Sequence, residues 1–419
     1  MNLIENAALQ YEGKDLVWWG YNKTHEFLID RATLDKTDIN ALKLTENIAD
    51  KFGGKPKQTV SSTDQKQDQN NAPTAQKLKF QPKTEPTTAV LSWKPETIKF
   101  LENTEKPSGL LLMSVFASEI DTIDQYFNEN DKVLYHYEPL KLIADGCSNS
   151  AVPEKLNYLR ELLSCQYRDL STSLQNLKTR DEKAARFVGK GGITFRYKSD
   201  RLCRGEFCDG KDFSKNEEKC MNSCPDVNTG RMTELCTNDK ILPTIKVVRV
   251  CNLANLEPLF EESRLKAVLM LRDPRAIAFE RANGVFKSWN SEQIVTNIKW
   301  MCSDMGKSLE LAAGDNSPVW LRKRLVVVRA EDILIRENEK WMGHIEKFAH
   351  LEKSTSLNWR NVLEKENSTM FDWRSQSLSN FNFQTVKEVE RVCGYFMKLA
   401  GYKSVGSEED LKRSDKILF

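Results

Sequence analysis

Arg272, Asp273, Arg275, Glu280 and Arg281 crowd the point where the apolar run Ala267-Val-Leu-Met-Leu271 gives way to a helical pattern. An aspartate at position 273 suits a helix N-cap, and Pro274 fits the first helical position, where its missing N–H costs nothing. The spacing therefore predicts a helix from Pro274 whose free backbone N–H groups and positive dipole end lie beside Arg272 and Arg275. Such a turn binds anions, phosphate above all. By spacing alone the same residues equally fit an ordinary strand-to-helix turn with two solvated arginines.

The elements that must hold this turn follow from the periodicity downstream of Leu110. Short apolar runs at Leu110–Val115, Val133–Tyr137, Lys246–Val250, Ala267–Leu271 and Leu325–Val328 read as strands. Amphipathic stretches at Asn157–Leu174, Leu253–Glu262, Pro274–Trp289, Gln293–Ala313, Lys340–Ala349 and Thr385–Ala400 read as helices. Their alternation predicts an α/β fold, a mostly parallel central sheet flanked by helices, over about residues 105–410. Residues 53–95 are rich in Gln, Lys, Thr, Ser and Pro and read as a disordered stem or linker. Residues 1–52, with Trp18, Trp19 and Tyr21, suffice for a small folded segment of no recognisable role.

Sixty-two basic against 60 acidic residues leave a net charge of +2, so nothing pulls the whole chain toward nucleic acid or an anionic membrane. Anion binding must be local. Of 10 cysteines, Cys203, Cys208, Cys220, Cys224 and Cys236 crowd into an insertion at about residues 200–240. Zinc asks for paired C-x2-4-C spacing, met by Cys220/Cys224 and nearly by Cys203/Cys208, with no histidine in the segment. Disulfides in an oxidising lumen suit its polar, loop-like composition better, and no metal is expected. Asn22-Lys-Thr and Asn367-Ser-Thr are sequons that agree with a secretory route. The amino terminus shows no signal peptide and no run near 18 apolar residues, so the chain as written reads as soluble.

Leu271-Arg-Asp-Pro-Arg-Ala276 followed by Arg281 resembles the 3'-phosphate-binding segment of carbohydrate sulfotransferases. Val133-Leu-Tyr-His-Tyr-Glu-Pro-Leu140 is similar to that family's strand ending in Glu-Pro-Leu, and Ile245-Lys-Val-Val-Arg-Val250 to its Ile-Lys-x-Val-Arg strand. Val326-Val-Val-Arg-Ala-Glu-Asp332, Trp373-Arg374 and Gly401-Tyr402 continue the resemblance in order, across about three quarters of the chain. It implies a sulfotransferase, P-loop-like fold, 3'-phosphoadenosine 5'-phosphosulfate as sulfate donor and a glycan or glycosaminoglycan hydroxyl as acceptor. A place in the Golgi lumen or secretory pathway is implied too. Members carry an amino-terminal membrane anchor, so a truncated or misjoined start is expected for this sequence.

The resemblance also assigns roles. Arg272 would grip the 3'-phosphate together with a serine eight residues on, but position 280 is Glu; Arg275 and Arg281 would add charge. The family's Arg-x-Gly-Ser-Ser loop for the 5'-phosphosulfate falls on Ala117-Ser118-Glu119-Ile120-Asp121, where Ser118 alone keeps a hydroxyl apart from the acids. Glu138 is the candidate base, against a structural carboxylate. His136, between Tyr135 and Tyr137, is the other candidate base but fits a core histidine better, and Glu331 and Asp332 read as caps of the following helix. A carboxylate about 4 Å from a phosphate charge costs on the order of 4 kcal/mol at an effective dielectric near 20. The two readings are therefore an active carbohydrate sulfotransferase, or a sulfotransferase-fold protein that binds glycan or a partner without turnover.

Overall fold

The computed structural model describes residues 9–12, 15–22, 25–29, 105–115, 121–143, 151–167, 193–238, 241–284, 286–312, 317–333, 338–352, 372–374 and 381–413. The chain divides into two compact units, Met1–Pro82 and Lys83–Phe419. In the first, β1 (Leu9–Glu12), β2 (Asp15–Asn22) and β3 (His25–Ile29) form an antiparallel meander, each strand paired with the next. Residues 53–95, the loop with Ser118 and the sequon at Asn367 lie outside the described residues.

The second unit is built on β4 (Gly109–Met113), β5 (Val133–His136), β6 (Leu242–Val247), β7 (Leu265–Leu271) and β8 (Leu325–Arg329). They form one sheet in the order β5-β6-β4-β7-β8, and every pairing is parallel. The fold is thus an α/β layer structure with a parallel sheet, as the periodicity predicts. Alternate residues of each strand bury opposite faces: Leu111, Met113, Leu269 and Val327 join one apolar cluster, Leu110, Leu112, Met270 and Val328 the other. A strand buried on both sides reads as a continuous apolar run, which is why these strands stand out in the sequence.

One face is covered by α1 (Asp121–Glu129) and α7 (Asn338–Ala349), through Tyr126, Phe127, Trp341 and Phe348. The other takes α2 (Val152–Leu163), α5 (Pro274–Asn283), α6 (Ser291–Ala312) and α8 (Phe383–Ala400). Cys302–Cys393 staples α6 to α8. The cysteine-rich segment carries two helices, α3 (Glu217–Ser223) and α4 (Thr229–Thr237), where the sequence reads as loop. Asn216 and Asn228 cap them, each accepting from a backbone N–H three residues on.

Three boundaries differ from expectation for identifiable reasons. Strand β6 begins at Leu242 despite Pro243, which sits opposite Leu134 in an interior strand, an unusual place for a residue that cannot donate to the ladder. Helix α2 ends at Leu163 because Cys165 takes a left-handed conformation, φ 60°, and is tied to Cys236. Helix α5 stops at Asn283, not Trp289: a Cβ at Gly284 would lie 2.9 Å from the Glu280 carbonyl, so only glycine fits the exit.

Candidate functional site

The chain steps outward from β4 to β5 on one side and from β7 to β8 on the other, so the sheet changes winding direction beside β4 and β7. In open parallel sheets, ligands bind beyond the carboxyl ends of the strands at such a switch. Arg272 leaves β7 at that place and Ser114 leaves β4. Ser114 is 2% exposed, and its hydroxyl has no hydrogen-bond partner among the described residues. Nothing in the sequence singles it out.

The turn after β7 is built as its residue types require. Asp273 caps α5, its carboxylate accepting from the Arg275 backbone N–H at 2.9 Å, and Pro274 occupies the first turn. The Arg275 guanidinium is turned inward. It donates to both Asp273 oxygens, at 2.9 and 2.6 Å, to Glu390 at 2.7 Å and to the Lys403 carbonyl at 2.9 Å. Burial alone would lower its pKa, but Asp273 and Glu390 together hold it above the ordinary arginine value. Arg275 therefore ties the turn to α8 from within.

Arg272 is also buried, yet its carboxylate contact is long: Nη2 lies 3.8 Å from Oε1 of Glu280, whose side chain is 26% exposed. Glu280 thus faces the guanidinium where the family resemblance expects a serine. Arg281 points into the interior and donates to Asn297 on α6; burial lowers its pKa to about 10.

Two residues brace the turn that the sequence assigns elsewhere. Glu331, buried at 2% exposure, accepts from the Asp273 backbone N–H at 2.8 Å and from the Tyr402 hydroxyl at 2.9 Å, so it props the turn. Its pKa is raised, first by burial and then by the Asp273 charge. Buried Arg374 feels the same carboxylates: burial lowers its pKa while Asp273 and Glu331 oppose the shift. Sequence separations of 58 and 71 along these bonds explain why no local pattern reveals them.

At the other end of the site, Glu138 follows β5 in a left-handed conformation, φ 42° and ψ 50°, unusual for a non-glycine residue and doubly so before a proline. That bend turns its carboxylate onto Arg249, Nη1 to Oε2 at 2.7 Å, with Lys246 Nζ 4.0 Å from Oε1. Lys246 in turn pairs with Asp124 on α1. These four charged groups are nearly all buried, and Lys155 Nζ fixes the Arg249 backbone by donating to its carbonyl at 2.9 Å. His136, by contrast, is a core residue: it bonds the Tyr167 hydroxyl at 2.9 Å, and burial lowers its pKa to about 3.

The insertion is closed by Cys203–Cys220 and Cys208–Cys224, with Cys165–Cys236 anchoring α4 beside α2. The sulfurs of Cys208, Cys220 and Cys224 lie within 4.8 Å of one another because two disulfides stack there. The expectation of disulfides is met. Among the described residues no helix is long and apolar enough to cross a membrane.

Comparison with known proteins follows the same outline. Carbohydrate sulfotransferase 1 of Danio rerio is 25% identical over 350 residues, 75% of this chain and 82% of that protein. Carbohydrate sulfotransferase 3 of Tetronarce californica is 27% identical over 335 residues, 71% of this chain and 73% of its own length. Carbohydrate sulfotransferase 3 of Homo sapiens is 26% identical over 336 residues, covering 70% and 67% respectively. No protein-family model matches. Among solved structures, the sulfotransferase domain from the Synechococcus PCC 7002 olefin synthase is 14% identical and aligns with a TM-score of 0.33 over 69% of this chain and 96% of that domain.

Proposed function

We infer that this chain, a sequence relative of the carbohydrate sulfotransferases, transfers sulfate from 3'-phosphoadenosine 5'-phosphosulfate to a hydroxyl of a glycan or glycosaminoglycan. The observation that carries the reading is buried Arg272 at the amino end of α5, placed at the carboxyl edge of the sheet where its winding reverses. A helix N-terminus with an adjacent guanidinium suits a phosphate. The orphaned Ser114 hydroxyl supplies a polar group at the end of β4, on the side where the resemblance expects the 5'-phosphosulfate. Arg275 and Arg281 do not add to that grip, since both are committed to internal partners.

The donor supplies an electrophilic sulfur. The acceptor oxygen bonds to it as the sulfur–oxygen bond to the 5'-phosphate breaks, and the bonding pair leaves on the phosphate oxygen. The hydroxyl proton passes to a carboxylate, for which Glu138 is the candidate base. Arg249, 2.7 Å from Glu138, fixes where that carboxylate points. Positioning and charge supply most of such catalysis. The proposed location is an oxidising compartment such as the Golgi lumen, a reading that the disulfides support.

A second reading is favoured by one contact: Glu280 at 3.8 Å from Arg272 puts a negative group where the donor's own negative charge would lie. On that reading the fold binds glycan without turnover. Calorimetry of the chain with 3'-phosphoadenosine 5'-phosphate separates the two. Micromolar binding is the expected result for the enzyme, and no binding at millimolar nucleotide overturns it.

A further inference from the structure

A cleft of about 260 Å³ opens between α1, the end of β5 and the disulfide-closed segment. That is just under the roughly 300 Å³ at which pockets for drug-sized ligands begin, so it suits a single small ring. Among the described residues no aliphatic side chain lines it. The carboxylates of Asp124, Asp200 and Glu217 stand against the ammonium groups of Lys198 and Lys215, close to balance. An anionic ligand would meet three carboxylates, and a cation would meet two lysines with Lys246 behind Asp124. A ligand rich in neutral hydroxyls meets donors and acceptors in equal measure, because Gln125, Asn128 and Ser214 complete the wall.

A second mark of a sugar site stands beside the cleft. Tyr137, in its lining, lies edge-on to Tyr197, ring centroids 5.4 Å apart, and Tyr197 is 39% exposed, one of the few large aromatic side chains on the described surface. Lys198 Nζ stands 4.4 Å from the centre of the Tyr137 ring and 3.4 Å from its hydroxyl. The floor is rigid: Asn128 bonds both the carboxylate and the backbone N–H of Asp200, each at 2.8 Å, and Ser199 holds the Tyr135 carbonyl at 2.8 Å. The cleft also adjoins the candidate base, since Lys246 joins Asp124 in its wall to Glu138.

We propose that this cleft seats one neutral sugar ring of the acceptor chain, beside the ring whose hydroxyl faces Glu138, and so sets which glycans the protein takes. The proposal rests on the sulfotransferase reading for its acceptor role, though the seat itself is testable without it. Binding of two unsulfated tetrasaccharides to the full chain would be measured by calorimetry: one of neutral hexose and N-acetylhexosamine units, and hyaluronan, which carries a carboxylate on alternate rings. The neutral probe is expected to bind at least tenfold more tightly. Tyr197→Ala and Gln125→Ala should each weaken it by a factor of three to ten, with unchanged thermal denaturation and unchanged binding of 3'-phosphoadenosine 5'-phosphate. Wild-type affinity in both variants, no binding of the neutral probe, or a preference for hyaluronan would overturn the proposal. Loss of nucleotide binding with the saccharide results intact would remove the sulfotransferase reading and leave the sugar seat standing.

Discussion

Arg272 and Arg275 sit three residues apart on one turn, yet the structure gives them opposite conditions. Arg275 is enclosed by Asp273 and Glu390 with donor distances of 2.6 to 2.9 Å, whereas the Glu280 carboxylate stands 3.8 Å from Arg272 and is partly exposed. The end of β5 repeats the enclosed pattern, with Glu138 on Arg249 and Asp124 on Lys246. An arginine held by close carboxylates inside the fold serves the scaffold, and by that measure Arg275 is a structural residue.

The sharpest way to break this contrast is to remove the scaffold arginine. Arg275→Ala strips the guanidinium from buried Asp273 and leaves Glu390 with Lys387 at 2.7 Å, and a broken buried ion pair costs about 3–5 kcal/mol; urea unfolding followed by circular dichroism should show a loss of that size. Arg275→Lys should recover only part of it, because a single ammonium cannot reproduce the forked contacts to Asp273. A stability loss below 1 kcal/mol would return Arg275 to the list of ligand candidates.

Next in size is the disulfide-closed segment. Replacing Cys208 and Cys224 by serine opens a loop of 16 residues and should cost about 3 kcal/mol. Saccharide binding at the neighbouring cleft should fall with it, while binding of 3'-phosphoadenosine 5'-phosphate at the folded temperature stays within a factor of two of wild type. Equal loss of both would show that the two ends of the site are one cooperative structure.

Glu280→Ser tests Arg272 directly. Full Coulomb repulsion at this distance is on the order of 4 kcal/mol, but a partly exposed carboxylate is screened, so a ten- to hundredfold tighter grip on 3'-phosphoadenosine 5'-phosphate is the expected gain. Adenosine 5'-phosphate, which lacks the 3'-phosphate, should bind the variant and the wild type alike. A gain shared by both nucleotides would place Glu280 near the 5' end and refute the assignment of Arg272.

What the sequence discloses here follows from the range of the forces involved. The strands are legible because a doubly buried parallel strand leaves a continuous apolar run, and the turn is legible because N-cap and first-turn preferences act within three residues. Helix α1 carries no expected element, only its first residue, Asp121, falling in the stretch read as a degenerate phosphate loop, and α3 and α4 are missed because a polar, cysteine-rich segment resembles coil. Glu331, Tyr402, Arg374 and Glu390 are invisible for another reason: each reaches the turn across 58 or more residues, and nothing local marks the far partner of a buried bond.

The smallest effect separates the cleft from the turn by pH. Burial raises the Asp200 pKa to about 6, against the pull of Lys215 and of the bond from Asn128. A buried carboxyl favours its proton in the folded state, so between about pH 4 and pH 6 the folded chain holds more protons than the unfolded one, and stability falls as pH rises through that window. Asp200→Asn has no proton to lose. Its stability relative to wild type should therefore increase from pH 4 to pH 6 and level off above, and thermal denaturation at half-unit pH steps would show the slope. His136, held neutral with a pKa near 3, works in the opposite sense: its unfolded form takes up a proton below about pH 6.5, so it lowers stability as pH falls. That background is common to wild type and Asp200→Asn and cancels in their difference. A flat difference across the window would mean that Asp200 stays ionised in the fold, with Lys215 outweighing burial, and the cleft would keep the charge of Asp200 throughout that range.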